Sequence, residues 1–169
     1  MKIKLEFNKQ QLENEVKRRF ARLNNKSIEV GYIDNPELEF IAQIQEHGAV
    51  IPVTQKMRFY LGMKYNIWLS PEKTNIVIPP RHFMYTAFEA NKGDYGKRLM
   101  KFYSTSKNVN ESVDLLAQSI VGDVQNSINQ HFVKWEDNSD MTIFLKGFNR
   151  PLVNKGNLLE DVTYKVNYK

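Results

Sequence analysis

Cysteine is absent from this chain of 169 residues. Disulfide staples and thiolate metal sites are therefore excluded, which fits a reducing interior or a particle assembled there. Long apolar runs are absent too, none reaching the roughly 20 residues that a membrane-spanning helix needs. The opening residues, Met1 to Phe7, alternate apolar and charged, the pattern of a strand and not of a signal peptide. Histidine is scarce, at 3 residues, and none is placed as a ligand. Glu46 and His47 are adjacent, so a helix would set them about 100° apart, while His82 and His131 have no ligand partner at helical spacing. The sequence holds no phosphate-binding glycine loop, carboxylate dyad or nucleophile–base pair. No enzymatic activity, cofactor or metal is expected. Repeats, low-complexity tracts and glycine-rich linkers are also missing, so residues 1–169 read as a single domain.

What is present suits a protein with one core. Hydrophobic residues make up 41% and charged residues 25%, ordinary values for a folded domain. Phenylalanine and tyrosine, at 10 and 8, supply interfaces as readily as cores. A net charge of +5 permits contact with nucleic acid without requiring it.

Periodicity then predicts the elements in order. Ile3, Leu5 and Phe7 alternate as a half-buried strand, and Leu12, Val16, Phe20 and Leu23 stripe a helix over 9–24 behind the cap Asn8. Lys17-Arg18-Arg19 fits the cation-favouring C-terminal half of that helix better than a nucleic-acid patch. Ile28, Val30 and Tyr32 share one face of a second strand. Pro36 opens a helix in the first-turn position, and Gly48 closes it. The strongest core helix runs over 109–131 from Asn108 and Glu111, spaced as a capping box, with Val113, Leu116, Ala117, Ile120, Val124 and Ile128 on its stripe. Gly122 inside it suggests a closely packed neighbour. Residues around Leu99 to Tyr103 predict an amphipathic turn or two, 132–161 show little regular pattern, and Val162 to Tyr168 alternate as a closing strand. The fold class is α+β: a small, mostly antiparallel sheet packed against several helices, one of them long.

Two stretches carry candidate sites. Ile76-Val77-Ile78 reads as a short strand that Pro79-Pro80 stops, because neither proline can donate to a ladder; Arg81-His82-Phe83 then leads into helix. Residues 49–78 form an excursion in which Lys56, Arg58, Lys64 and Lys73 alternate with Phe59, Tyr60, Tyr65 and Trp68. Cations interleaved with aromatics suit single-stranded nucleic acid and equally suit a protein interface.

Taken together and in order, a series of short motifs resembles the neck and tail-completion proteins of tailed bacteriophages, the virion-morphogenesis family of the head–tail junction. The motifs are Val30-Gly31-Tyr32, Gln45-Glu46-His47-Gly48, Ile78-Pro79-Pro80-Arg81-His82-Phe83, Thr142-Ile143 with Lys146-Gly147, Pro151-Leu152 with Gly156, and Val162-Thr163-Tyr164-Lys165-Val166. They span 28–168. His82 stands where the family usually has a third proline, Lys155 where it often has threonine, and His47 takes the aromatic place before Gly48. The resemblance implies a structural subunit of the virion, assembled in the host cytoplasm as a homo-oligomeric ring. Its partners would be head-connector and tail proteins, with non-specific contact to passing DNA and none to a membrane. A ring subunit needs rigid presented corners, so Pro79, Pro80, Arg81, His82, Arg150, Pro151 and Leu152 are the expected subunit contacts. Lys56, Arg58, Tyr60, Lys64, Tyr65 and Trp68 are candidates for interface or nucleic-acid contact, the latter in a competing reading as a small basic nucleic-acid-binding module.

Overall fold

The computed structural model describes Arg18, residues 26–130 and residues 135–168. The predicted strand at 3–7, the predicted helix at 9–24 and His131 lie outside the described residues.

The fold is α+β. The strand β1 (Lys26–Gly31) leads to α1 (Pro36–His47), β2 (Ala49–Pro52), α2 (Gln55–Tyr65) and β3 (Asn75–Ile78). Then follow α3 (Phe83–Asn91), α4 (Tyr95–Ser106), α5 (Val109–Gln130), α6 (Asp140–Lys146), the single turn α7 (Asn157–Glu160) and β4 (Thr163–Tyr168). The strands form two separate antiparallel ribbons in place of one sheet. β1 pairs with β4, from Lys26↔Tyr168 to Gly31↔Thr163, and β2 pairs with β3, from Ala49↔Ile78 to Pro52↔Asn75.

The long helix α5 organises the core. It packs against α3, α4 and the β1–β4 ribbon, because its apolar stripe runs the full length of the helix. Ala117 and Ile128 are wholly buried, and Val113, Leu116 and Val124 nearly so. Tyr32, Leu38, Ala42, Phe83, Ala87, Leu152 and Val162 complete the cluster. The closing strand and β1 bury one face each because their side chains alternate, which sets Val30 beside the core and Glu29 in solvent.

Local chemistry explains the ends of the elements. Asn35 accepts the Leu38 N–H at 3.1 Å and Pro36 occupies the first turn of α1, where its missing N–H costs nothing. Thr54 caps α2 through the Met57 N–H at 3.2 Å. Asn108 takes the N–H groups of Asn110 and Glu111 at the start of α5, but its own N–H goes to Ser106 Oγ at 3.2 Å, where the capping box predicted Glu111. Two further expectations are corrected. The turn or two expected near Leu99 is a full helix of 12 residues, supported by Arg98, which bridges to Asp123 of α5 at 2.6 Å. Gly122 faces open space, so no close neighbour accounts for it. Part of the patternless stretch is also helical: Ser139 caps α6 through the Thr142 N–H at 3.3 Å, and Gly147, at φ 80°, ends it.

Candidate functional site

The motifs at residues 45–48 and 78–83 converge on one corner. Gly48 takes φ 74° at the end of α1, and a Cβ there would lie 2.8 Å from the Ile78 carbonyl oxygen and 2.9 Å from the Pro80 nitrogen. Only glycine permits that approach at that dihedral. Two residues earlier, the buried Glu46 carboxylate accepts the N–H groups of Met84 at 2.9 Å and Tyr85 at 3.0 Å. These are orphan donors in the first turn of α3, whose N-cap residue His82 supplies no side-chain cap. A carboxylate from α1 therefore caps α3 and meets the positive end of its dipole.

Arg81 ties the same corner together. Its N–H donates to the Gln45 carbonyl at 2.7 Å and its Nη1 to Gln45 Oε1 at 2.7 Å. Nε and Nη2 both donate to the Glu136 carbonyl, at 3.3 and 3.1 Å. The residue is 3% exposed. Burial pulls its guanidinium pKa below the usual arginine value, partly offset by the charge of Glu136. Arg81 was expected to be a presented contact, and the structure corrects this: its side chain is spent inside the fold.

The expected contacts at 150–152 behave the same way. Lys146 donates to the Arg150 carbonyl at 2.7 Å, and Arg150 Nη2 donates to Asn129 Oδ1 of α5 at 3.0 Å. Burial, helped by the positive charge of Arg81, lowers the Lys146 pKa. Pro151 is buried and Leu152 is a core residue, so neither is presented in the monomer as expected. Leu152 adopts φ 62°, a left-handed conformation costly for a residue with a Cβ, held by burial of its side chain. At the corner, Pro80 and His82 remain exposed and Pro79 is half-buried. The His82 ring packs edge-on to Tyr85, with centroids 6.5 Å apart.

The excursion forms an arm. The β2–β3 ribbon leaves the corner and carries α2, which among the described residues makes no extensive packing with another helix or strand. Arg58 holds the arm's own return loop, donating to the carbonyls of Leu69 (3.1 Å), Ser70 (2.8 Å), Pro71 (3.2 Å) and Lys73 (2.6 Å). Trp68 lies against Gly62, where a Cβ would come within 2.6 Å of the indole, and its Nε1 donates to Asn66 Oδ1 at 3.0 Å. Lys64 donates to the Tyr60 hydroxyl at 2.7 Å, and Tyr60 meets Tyr65 edge-on at 5.9 Å. That hydrogen bond lowers the Tyr60 pKa and raises that of Lys64. Of the six arm residues singled out from sequence, Arg58 is thus committed to the loop, while Lys56 projects with Tyr60.

Two arm residues that sequence reasoning left out of the candidate set are prominent. Phe59 and Met63 are each 68% exposed. Their i,i+4 spacing was legible, but it reads as a core stripe unless the opposite face, with Gly62 and Arg58, is known to be the inward one. Val50 and Val77, cross-strand partners, are also exposed on the outer face of the ribbon.

Elsewhere a small polar hollow of about 170 Å³ lies between α3 and α5, beside Asn91, Asp123 and Ser127. Its carboxylate, Asp123, is neutralised by Arg98. Among the described residues no cluster of three acidic or histidine side chains is placed to hold a metal, and no helix is long and apolar enough to cross a membrane. No family model, curated protein or solved structure matches the chain.

Proposed function

We propose that this chain is a structural subunit of a tailed-phage virion at the head–tail junction, a neck or tail-completion protein that works in a ring of copies. The observation that carries this reading is the arm. Its ribbon and helix present Val50, Val77, Phe59, Met63 and Trp68 to solvent, all more than 60% exposed. Several large exposed apolar groups gathered on one arm suit a protein interaction surface. The motif series supports the family, because its pieces at 45–48 and 78–83 meet at the corner from which the arm departs. The unit is a rigid base and the arm is what it presents. Partners would be further copies, the head connector and the tail, in a particle assembled in the host cytoplasm.

The basic nucleic-acid-binding module is the weaker reading. Arg58, the arm's one guanidinium, is consumed by four backbone carbonyls and is not free to meet phosphate. The test is complementation: purified protein added to heads and tails made without it should restore joined particles. Intact joining in its absence would overturn the proposal.

A further inference from the structure

We propose that the outer ridge of α2 in one copy docks on the outer ridge of α1 in the next. This deepens the ring-subunit reading and rests on it. The inward side of α1 is set by Leu38, Ala42 and Glu46, all buried. At about 100° per residue, Phe40 falls opposite that side, and it is 63% exposed with Ile41 beside it at 38%. Glu37, Phe40, Ile41 and Ile44 thus form one ridge at i, i+3, i+4 and i+7. On α2 the inward side holds Gly62 and Arg58. Lys56, Phe59, Tyr60 and Met63 form the outward ridge, at the same spacing.

The two ridges match in shape class and oppose in charge. Both carry an aromatic and an apolar residue behind one charged residue a turn nearer the N-terminus, Glu37 on α1 and Lys56 on α2. Their surroundings extend the contrast. Between Ile33 and His47 stand Asp34, Glu37, Glu39 and Glu46 with no lysine or arginine. Between Thr54 and Thr74 stand Lys56, Arg58, Lys64 and Lys73 with one carboxylate, Glu72. Among the described residues neither Lys56 nor Glu37 has an ion-pair partner. Like ridges would repel, so a second copy of α1 on α1 or of α2 on α2 is disfavoured. A contact between two different patches of identical chains is heterologous, the kind that propagates and closes into a ring.

The test uses two variants that each spoil one patch, Phe59→Asp and Phe40→Asp. Both side chains are exposed, so the fold should survive, as circular dichroism will verify. In sedimentation the parent protein should associate as concentration rises, and each variant alone should associate at least about tenfold more weakly. An equimolar mixture retains one intact pair of patches and should stop at a 1:1 dimer. The cysteine-free chain adds a direct probe, because Lys56→Cys mixed with Glu37→Cys should form mixed disulfides about tenfold faster than either alone. A monomeric parent protein, unchanged association in either variant, or no mixed dimer would each overturn the inference. Unchanged association with lost joining in Phe59→Asp would overturn it while sparing the head–tail reading; loss of complementation by the parent protein overturns that reading separately.

Discussion

Replacing Arg81 by alanine should unfold this protein several degrees early. The guanidinium satisfies Gln45 Oε1 and the Glu136 carbonyl, and no water reaches it freely at 3% exposure. Hydrogen bonds from a charged donor contribute about 1.5–3 kcal/mol each, and a buried acceptor left empty costs about 1–3 kcal/mol. Deleting the side chain also leaves a void along its stem. Against this stands the gain from no longer burying a cation that has no carboxylate in direct contact. The balance is a loss of about 3 kcal/mol, and a chain of this size loses about 2–4 °C of Tm per kcal/mol. The expected drop is therefore about 6–12 °C, read by calorimetry or by far-UV circular dichroism. Arg81→Lys should recover little, since one ammonium cannot span two acceptors in the same geometry. The Arg81 backbone N–H bond to the Gln45 carbonyl survives both changes. A Tm within about 2 °C of the parent would refute the tie. If such a variant also failed in head–tail joining, the arginine would be a docking group after all.

Gly48→Ala should cost about 2 kcal/mol, or about 4–8 °C, because its Cβ would strike the backbone at Ile78 and Pro80 at a left-handed dihedral. Tyr32→Phe should cost about 1 kcal/mol at neutral pH by orphaning the Leu158 carbonyl, which the phenol meets at 2.5 Å. Burial, with the charges of Asp161 and Glu46, holds the Tyr32 pKa well above the ordinary phenol value. The phenol's contribution is therefore complete below pH about 10 and lost as pH rises beyond it, so the parent's advantage over the variant should shrink above that pH and then reverse. Arg58→Ala should leave the global Tm within about 2 °C while amide exchange in 69–74 accelerates by about tenfold, since all four of its acceptors lie in the arm loop. Short DNA duplexes should bind weakly, without sequence preference and with steep salt dependence; tight, discriminating binding at physiological salt would favour the nucleic-acid module.

Most of the elements were legible because their signals are local. Alternation exposed β1 and β4, the stripe from Val113 to Ile128 exposed α5, and Pro36 marked the start of α1. Where the pattern was weak, the fold was decided by partners remote in sequence. The helix α4 buries no residue fully; it packs along α5 with Leu99, Phe102 and Tyr103 half-buried, and Arg98 reaches Asp123, 25 positions away. The division into two ribbons was also hidden, since pairing between β1 and β4 joins the two ends of the described chain.

The corner shows why Arg81 reads as presented from sequence and yet lies buried in the fold. An arginine after two prolines looks presented, because charge usually seeks water and prolines usually bend at the surface. Both rules weigh one residue against bulk solvent. They do not count the backbone carbonyls that a chain leaves bare when its helices and strands end abruptly. Here the Glu136 carbonyl, in a stretch without helix or strand, and the Gln45 side-chain oxygen near the end of α1 come together in one place. A guanidinium with five donors is the side chain best able to satisfy them. The same logic places Glu46 against the bare N–H groups of α3 and Arg58 against the carbonyls of the arm loop. The exposed apolar ridge of α2 is the reverse case. Its residues would be core in most helices, but the face that Arg58 and Gly62 turn inward leaves Phe59 and Met63 facing out. In the arm, a charged group holds the return loop from within and apolar groups face outward.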